Sequence, residues 1–196
     1  GVGTTDSNNY AVDTVRPTAT ILVADTSLII GETSLVTITF NEAVTGFSNA
    51  DLTIASGTLS AVSTADGGIT WTATFTPTAS IADATNVITV DNTGVLDSAG
   101  NAGVSTTDSN NYAINTVRPT ASILVADTSL ITGETSLVTI TFSEAVTGFD
   151  NADLTIAGGT LSNVATANGG VTWTATLTPT TGIISASNVV ALAGSG

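Results

Sequence analysis

The chain contains no cysteine, histidine, methionine or lysine, and Arg16 and Arg118 are its only basic residues. These absences exclude Ser-His-Asp and Cys-His catalysis, Schiff-base chemistry, and thiolate or imidazole metal sites. They equally exclude a disulfide framework and a lysine-dependent isopeptide crosslink. Without a basic patch there is nothing to hold phosphates, so nucleic acid is not a partner. Anionic membranes have no electrostatic hold on the chain either, and no apolar run reaches the length of a membrane span. The first ten residues have neither a basic region nor an apolar core, so they do not read as a secretion signal. This inventory argues against an enzyme.

The residues that are present follow two patterns. The 196 residues are 42% hydrophobic but only 9% charged, with a formal net charge of −14. The first pattern is repetition. The segment that starts TTDSNNYAVDTVRPTATILVADTSL at Thr4 recurs as TTDSNNYAINTVRPTASILVADTSL at Thr106. Residues 1–94 and 103–196 differ at 24 positions, and nothing in the second copy corresponds to 95–102. A period near 100 residues is the size of one independently folding domain, so the chain is a tandem array.

The second pattern is a period of two within each copy. Ile69, Trp71, Ala73 and Phe75 alternate with threonines, as do Val36, Ile38 and Phe40. One face therefore lies in a core and the other, threonine-rich, in water. Further strand-like runs are 9–14, 20–24, 52–55, 59–64 and 87–90, separated by turn sequences such as Asp66-Gly67-Gly68. Seven short strands in about 100 residues predict an all-β, antiparallel sandwich of immunoglobulin type in each copy, packed around Trp71 and Phe40. In that topology the last strand of the first copy is 111–116. The first domain then spans 17–117 and the second 118–196. Residues 1–16 become a last strand without a domain of its own, and the second domain lacks its last strand.

The phrases VLDSAGN, DTVRPTATI, NTVRPTASI, GETSLVTITFNEAVTGF and NADLTI resemble the bacterial Ig-like repeats of giant extracellular adhesins. The resemblance covers both copies nearly end to end. It implies an exported, cell-surface protein whose repeats are strung into stalks, often stiffened by calcium at the domain poles. The loop from Asp97 to Asn101 has no counterpart in the second copy.

The carboxylates converge on one pole of the predicted sandwich. Glu42 and Asp51 bracket one loop, Asp91, Asp97 and Asn101 lie in another, and Asp13 precedes the first strand. Oxygen donors of this kind suit Ca²⁺, the one cofactor the sequence points to. The alternative is a salt bridge from Arg16 to Glu42 or Asp51, with Asp97 and Asn101 as turn residues. The second copy offers only Asn115, Glu144 and Asp153, a weaker set. Asp25 and Glu32, at the opposite pole, read as turn positions. A paired-carboxylate glycosidase through Glu42 and Asp51 lacks an aromatic platform. Tyr10 and Tyr112 are the remaining sugar-stacking candidates, and packing on the sandwich edge is the simpler expectation for them.

Two assemblies fit these readings. In one, the chain polymerises head to tail, the strand Asn9, Tyr10, Ala11, Val12, Asp13, Thr14 filling the vacant last-strand position in the next copy. In the other, it is a stretch of a calcium-stiffened adhesin stalk joined to neighbouring repeats. A module that binds a glycan or a host protein is a third, weaker reading.

Overall fold

The computed structural model describes residues 3–193. The chain divides into two compact units, Gly1–Arg118 and Pro119–Gly196. Both are built of strands, with a few single-turn 3-10 helices between them.

Alternation decides the first sheet. β1 (Ala19–Val23), β3 (Ser34–Phe40) and β8 (Thr70–Pro77) turn alternate side chains toward one core, and the short β6 (Gly57–Leu59) and exposed β7 (Ser63–Thr64) complete the sheet, with β2 (Ser27–Ile29), β4 (Val44–Thr45) and β5 (Leu52–Ile54) interspersed along the chain. Within this sheet β1 pairs β3, β3 pairs β8, and β8 pairs β6 and β7, all antiparallel. The run 59–64, expected as one strand, is split between β6 and β7. The Asn49 side-chain amide donates to the Ser60 carbonyl at 2.9 Å and accepts from the Val62 N–H at 2.8 Å, drawing this stretch out of the ladder.

The facing layer is one long, interrupted hairpin. Its first arm is β9 (Ala82–Asn86) followed by β10 (Ile88–Asp91). After β11 (Leu96–Asp97) come β12 (Thr106–Asp108) and β13 (Tyr112–Asn115), which form the return arm. β10 lies between β12 and β5, and β13 lies between β9 and β2. The last strand therefore reaches back to Thr106, beyond the expected 111–116. β2 runs parallel to β13. Short strands of this kind have no alternation to betray them, and β2 and β9 are not legible from sequence.

Between the layers sit Val23, Leu28, Val36, Ile38, Phe75, Ile88, Val90 and Tyr112, all at most 1% exposed. Phe40, Phe47 and Trp71 make a chain of edge-to-face contacts with centroids 5.2 and 5.3 Å apart, and Phe75 meets Tyr112 at 5.0 Å. Such pairs add to the stabilisation from burial alone. Tyr112 is thus a core residue, not the edge residue the sequence led us to expect. Its hydroxyl donates to the Ala55 carbonyl at 3.3 Å, which lets a phenol be buried without an orphaned polar group.

The second unit repeats half of this design. β14 (Ala121–Val125), β15 (Ser136–Phe142), β17 (Gly159–Leu161), β18 (Ala165–Thr166) and β19 (Thr172–Pro179) rebuild the first sheet with the same register. Phe142, Phe149 and Trp173 repeat the aromatic chain at 5.1 and 5.3 Å. The facing layer is reduced to β16 (Leu154–Ile156) paired with β20 (Val190–Leu192). Residues 129–131 and 184–188, which match β2 and β9, form no strand.

Candidate functional site

Two places hold residues in unusual circumstances: the open layer of the second unit, and the acid-rich pole of the first. The first is best read by asking what β13 does where it is present.

β13 and the residues flanking it are stitched to both layers by side chains. Asn110 Oδ1 accepts the Val23 N–H at 2.8 Å, and its Nδ2 donates to the Val23 carbonyl at 3.0 Å. Asn111 does the same on the other side, accepting the Asn86 N–H at 3.0 Å and donating to the Ala84 carbonyl at 3.1 Å. Thr116 Oγ1 donates to the Thr78 carbonyl at 2.7 Å and accepts the Ile81 N–H at 3.0 Å. Tyr112 and Ile114 point into the core, 0% and 2% exposed.

Among the described residues of the second unit no strand occupies this position, and the core is correspondingly uncovered. Val125, Leu130, Leu177, Val190 and Leu192 are only half-buried, where their matches Val23, Leu28, Phe75, Ile88 and Val90 are fully buried. Ile183, Ile184 and Val189 are exposed. A groove of about 780 Å³ runs along this side, lined by Val125, Leu130, Leu177, Ile183, Asn188 and Val190 among others. Uncovered β layers of this kind leave apolar surface and unpaired backbone in water.

The segment that matches β13 in the first copy, Asn9 to Thr14, with Val12 and Asp13 in place of Ile114 and Asn115, forms no strand in the first unit. The expected strand at Asn9, Tyr10, Ala11, Val12, Asp13 and Thr14 is thus absent. A strand exists only through a partner, and this segment has none in the described residues. Tyr10 and Val12, the matches of Tyr112 and Ile114, are 76% and 72% exposed. Sequence reading singled out this segment but not the residues of the groove. Their signal was the identity of Val125, Ala157, Thr180, Ala186 and Asn188 with the residues that hold β13, 102 positions earlier.

At the acid-rich pole the structure brings together part of the predicted set. Carboxylate oxygens of Asp13, Glu42 and Asp97 lie within 4.8 Å of one another. Asp97 is fixed by its loop: Oδ1 accepts the N–H groups of Ala99 and Asn101 at 2.9 and 2.8 Å, and Oδ2 accepts Asn101 Nδ2 at 2.7 Å. Asn101 Nδ2 also donates to the Asp13 carbonyl at 3.2 Å, pinning the approach of residue 13. The Asn101 side chain and the loop amides hold the Asp97 carboxyl below its usual pKa. Glu42 moves the other way, raised by desolvation and then by the neighbouring charges of Asp97 and Asp13.

Asp51 and Asp91 are not in this group, because each caps a 3-10 turn. Asp51 Oδ2 accepts the Ser48 N–H at 2.8 Å in a capping box, and Asp91 Oδ1 accepts the Thr93 N–H at 2.9 Å. Arg16 does not take up the salt-bridge alternative: its Nη1 donates to the Ala102 carbonyl at 2.7 Å. Asp25 and Glu32 accept the Ser27 and Ile29 N–H groups, as turn residues do. Of the second-copy set, Asp153 caps the turn begun by Asp150, Asn115 accepts the Val117 N–H at 3.3 Å, and Glu144 is half-buried in the second unit.

The trio is all oxygen, as hard cations such as Ca²⁺ require, and three carboxylates leave further positions to carbonyls and water. The residues present fit such an ion.

Comparison with known proteins places this architecture. No curated protein matches the chain by sequence. Among solved structures, the Escherichia coli adhesin FdeC is similar at 16% identity and a TM-score of 0.42, the match covering 91% of this chain and 64% of that one. The bacterial Ig-like domain family matches twice, over residues 13–114 and 115–196. Nearly the whole length is accounted for by these two matches, and the chain belongs to the bacterial Ig-like domain family.

Proposed function

We propose that this chain is a structural module of a bacterial cell-surface protein of the adhesin kind, and that copies join head to tail into a filament. Residues 1–16 of one copy complete the second unit of the next. The observation that carries this reading is a single asymmetry. A segment that differs only by Ile114 for Val12 and Asn115 for Asp13 is buried as β13 in the first unit, while Asn9–Thr14 forms no strand and the second unit exposes the layer that such a strand covers. Burying Tyr10 and Val12 is worth about 1.5–3 kcal/mol each, before any ladder hydrogen bonds. In this reading the role is mechanical: to span distance at the cell surface.

The joint is head to tail, with two different surfaces meeting, so growth is open-ended. Deleting residues 1–16 tests it. The intact chain should form filaments by electron microscopy and a mass of many copies by light scattering, and the deleted chain should not. Intact chains that remain monomeric at high concentration would end the reading.

A second reading is favoured by the Asp13, Glu42 and Asp97 group: a calcium ion that stiffens the pole of the first unit, as in a stalk. It is compatible with the filament, because Asp13 directly precedes Thr14 at the end of the donated strand. A thermal melt with Ca²⁺ and with chelator tests it, an unchanged midpoint for the first unit rejecting the ion.

A further inference from the structure

We infer that the second unit takes the strand of a second copy of this chain in one register only, and that Asn8 and Asn9 set that register. The inference rests on the completion proposed above and concerns what makes it specific.

Apolar pattern alone specifies a strand poorly. Side chains alternate, so a slip of one residue would turn Tyr10 and Val12 into water and is strongly rejected. A slip of two keeps the same residues inward and moves only their pockets. What distinguishes the two in the first unit is the asparagine pair. Asn110 closes both backbone groups of Val23, at the end of β1, and Asn111 closes Asn86 N–H and Ala84 carbonyl on β9. Neighbouring residues thus grip opposite layers, each amide imitating a peptide group. A slipped strand leaves those backbone groups without partners, and a desolvated orphan costs more than a bond gained.

Every member of this clamp is conserved in kind across the joint. On the donated side, Asn8, Asn9, Tyr10 and Thr14 match Asn110, Asn111, Tyr112 and Thr116. On the receiving side, Val125, Ala186, Asn188, Thr180 and Ile183 match Val23, Ala84, Asn86, Thr78 and Ile81. The direction follows too. β13 runs parallel to β2 and antiparallel to β9, so the donated strand runs parallel to 129–131 and antiparallel to 184–188. Ala11 then lies beside Ser129, as Ala113 lies beside Ser27.

The absence of cysteine makes this measurable in the full chain. One variant carries Ala11→Cys with Ser129→Cys, and a second carries Ala11→Cys with Ile131→Cys, two residues out of register. After mild oxidation, the first should give a ladder of linked copies on a non-reducing gel, exceeding the second by about tenfold or more, since a slip forfeits several hydrogen bonds. Adding Asn8→Ala and Asn9→Ala should bring the two variants to comparable yields or abolish the first ladder. An unchanged ratio after those substitutions would overturn the role of the asparagines. Equal ladders with the asparagines intact would overturn the single register while leaving completion by a second copy standing. Internally linked monomers would assign the strand to its own chain. No link in either variant would remove the completion itself.

Discussion

Tyr10 and Tyr112 share the local sequence SNNYA, yet their replacement by alanine should strike different units. Tyr112 is 0% exposed, stacks edge-on against Phe75 at 5.0 Å and hydrogen-bonds Ala55 at 3.3 Å. Removing a buried aromatic side chain costs about 3–5 kcal/mol, the cavity included. For a domain near 100 residues, each kcal/mol moves the melting temperature by roughly 4–8 °C. Tyr112→Ala should therefore lower the melting transition of the first unit by roughly 12–40 °C, the loss being a large share of the roughly 5–15 kcal/mol that holds a domain folded. Tyr10, 76% exposed, contributes nothing to the first unit. Tyr10→Ala should leave that transition in place and lower only the second, in assembled filaments. Differential scanning calorimetry of the full chain separates the two. A first-unit shift under Tyr10→Ala, or a Tyr112→Ala shift of only a few degrees, would refute the assignment of these tyrosines to different units.

Other outcomes follow from the same geometry. Leu177 stands where Phe75 meets Tyr112, so Leu177→Phe should restore an edge contact to Tyr10 and tighten filament joints by about 0.5–1.5 kcal/mol, read as a lower critical concentration. The Glu42 pKa is raised above its usual 4.5, so its ionisation opposes folding as pH rises through the raised value. Glu42→Gln should raise the first-unit midpoint at pH 7, the gain fading near pH 4, and should remove any shift caused by Ca²⁺. Asp66, held at a pKa of about 2 by the Thr70 and Ile69 amides and the Thr64 hydroxyl, stabilises its turn above the ordinary 3.8 and loses that effect as pH falls toward 2. Asn168 fills that place in the second unit, so Asp66→Asn should fold normally and flatten the acid dependence of the first unit in a pH-resolved melt. Tyr112, raised to about 12 by burial and then by Asp83, favours folding up to pH 10 and loses this as pH climbs through 12. Tyr112→Phe should abolish that alkaline slope.

The sandwich was legible because two stretches, Val36–Phe40 and Ile69–Thr76, alternate over enough residues that only a half-buried strand explains them. Other elements depend on partners that the sequence does not display. Asn9–Thr14 carries the pattern of a strand and forms none, whereas its copy at Tyr112–Asn115 forms one because β2 and β9 flank it. The chain leaves the ladder after Ser60 because the Asn49 side chain takes the Ser60 carbonyl and the Val62 N–H. At the acid-rich pole the fold brings Asp13, Glu42 and Asp97 close together, with Asn101 bonded to Asp13 and Asp97. Asp51 and Asp91 went elsewhere for a local reason that was in plain view. Ser48-Asn49-Ala50-Asp51 has the spacing of a capping box, and a carboxylate committed to a turn N–H is not free to converge on a neighbour.

The loop over residues 92–105 that joins β10 to β12 has a bearing on how chains would grow through the proposed joint. It tethers the last strand of the first unit beside its own groove, at an effective concentration on the order of millimolar. A loose Asn9–Thr14 segment from another molecule, present at micromolar levels, competes there at a disadvantage of roughly a thousandfold. The first unit is thereby closed to strangers that its groove would otherwise fit. Among the described residues this leaves one uncovered groove and one segment outside any strand per molecule. With one donor and one acceptor each, copies joined in the proposed way would lengthen without branching.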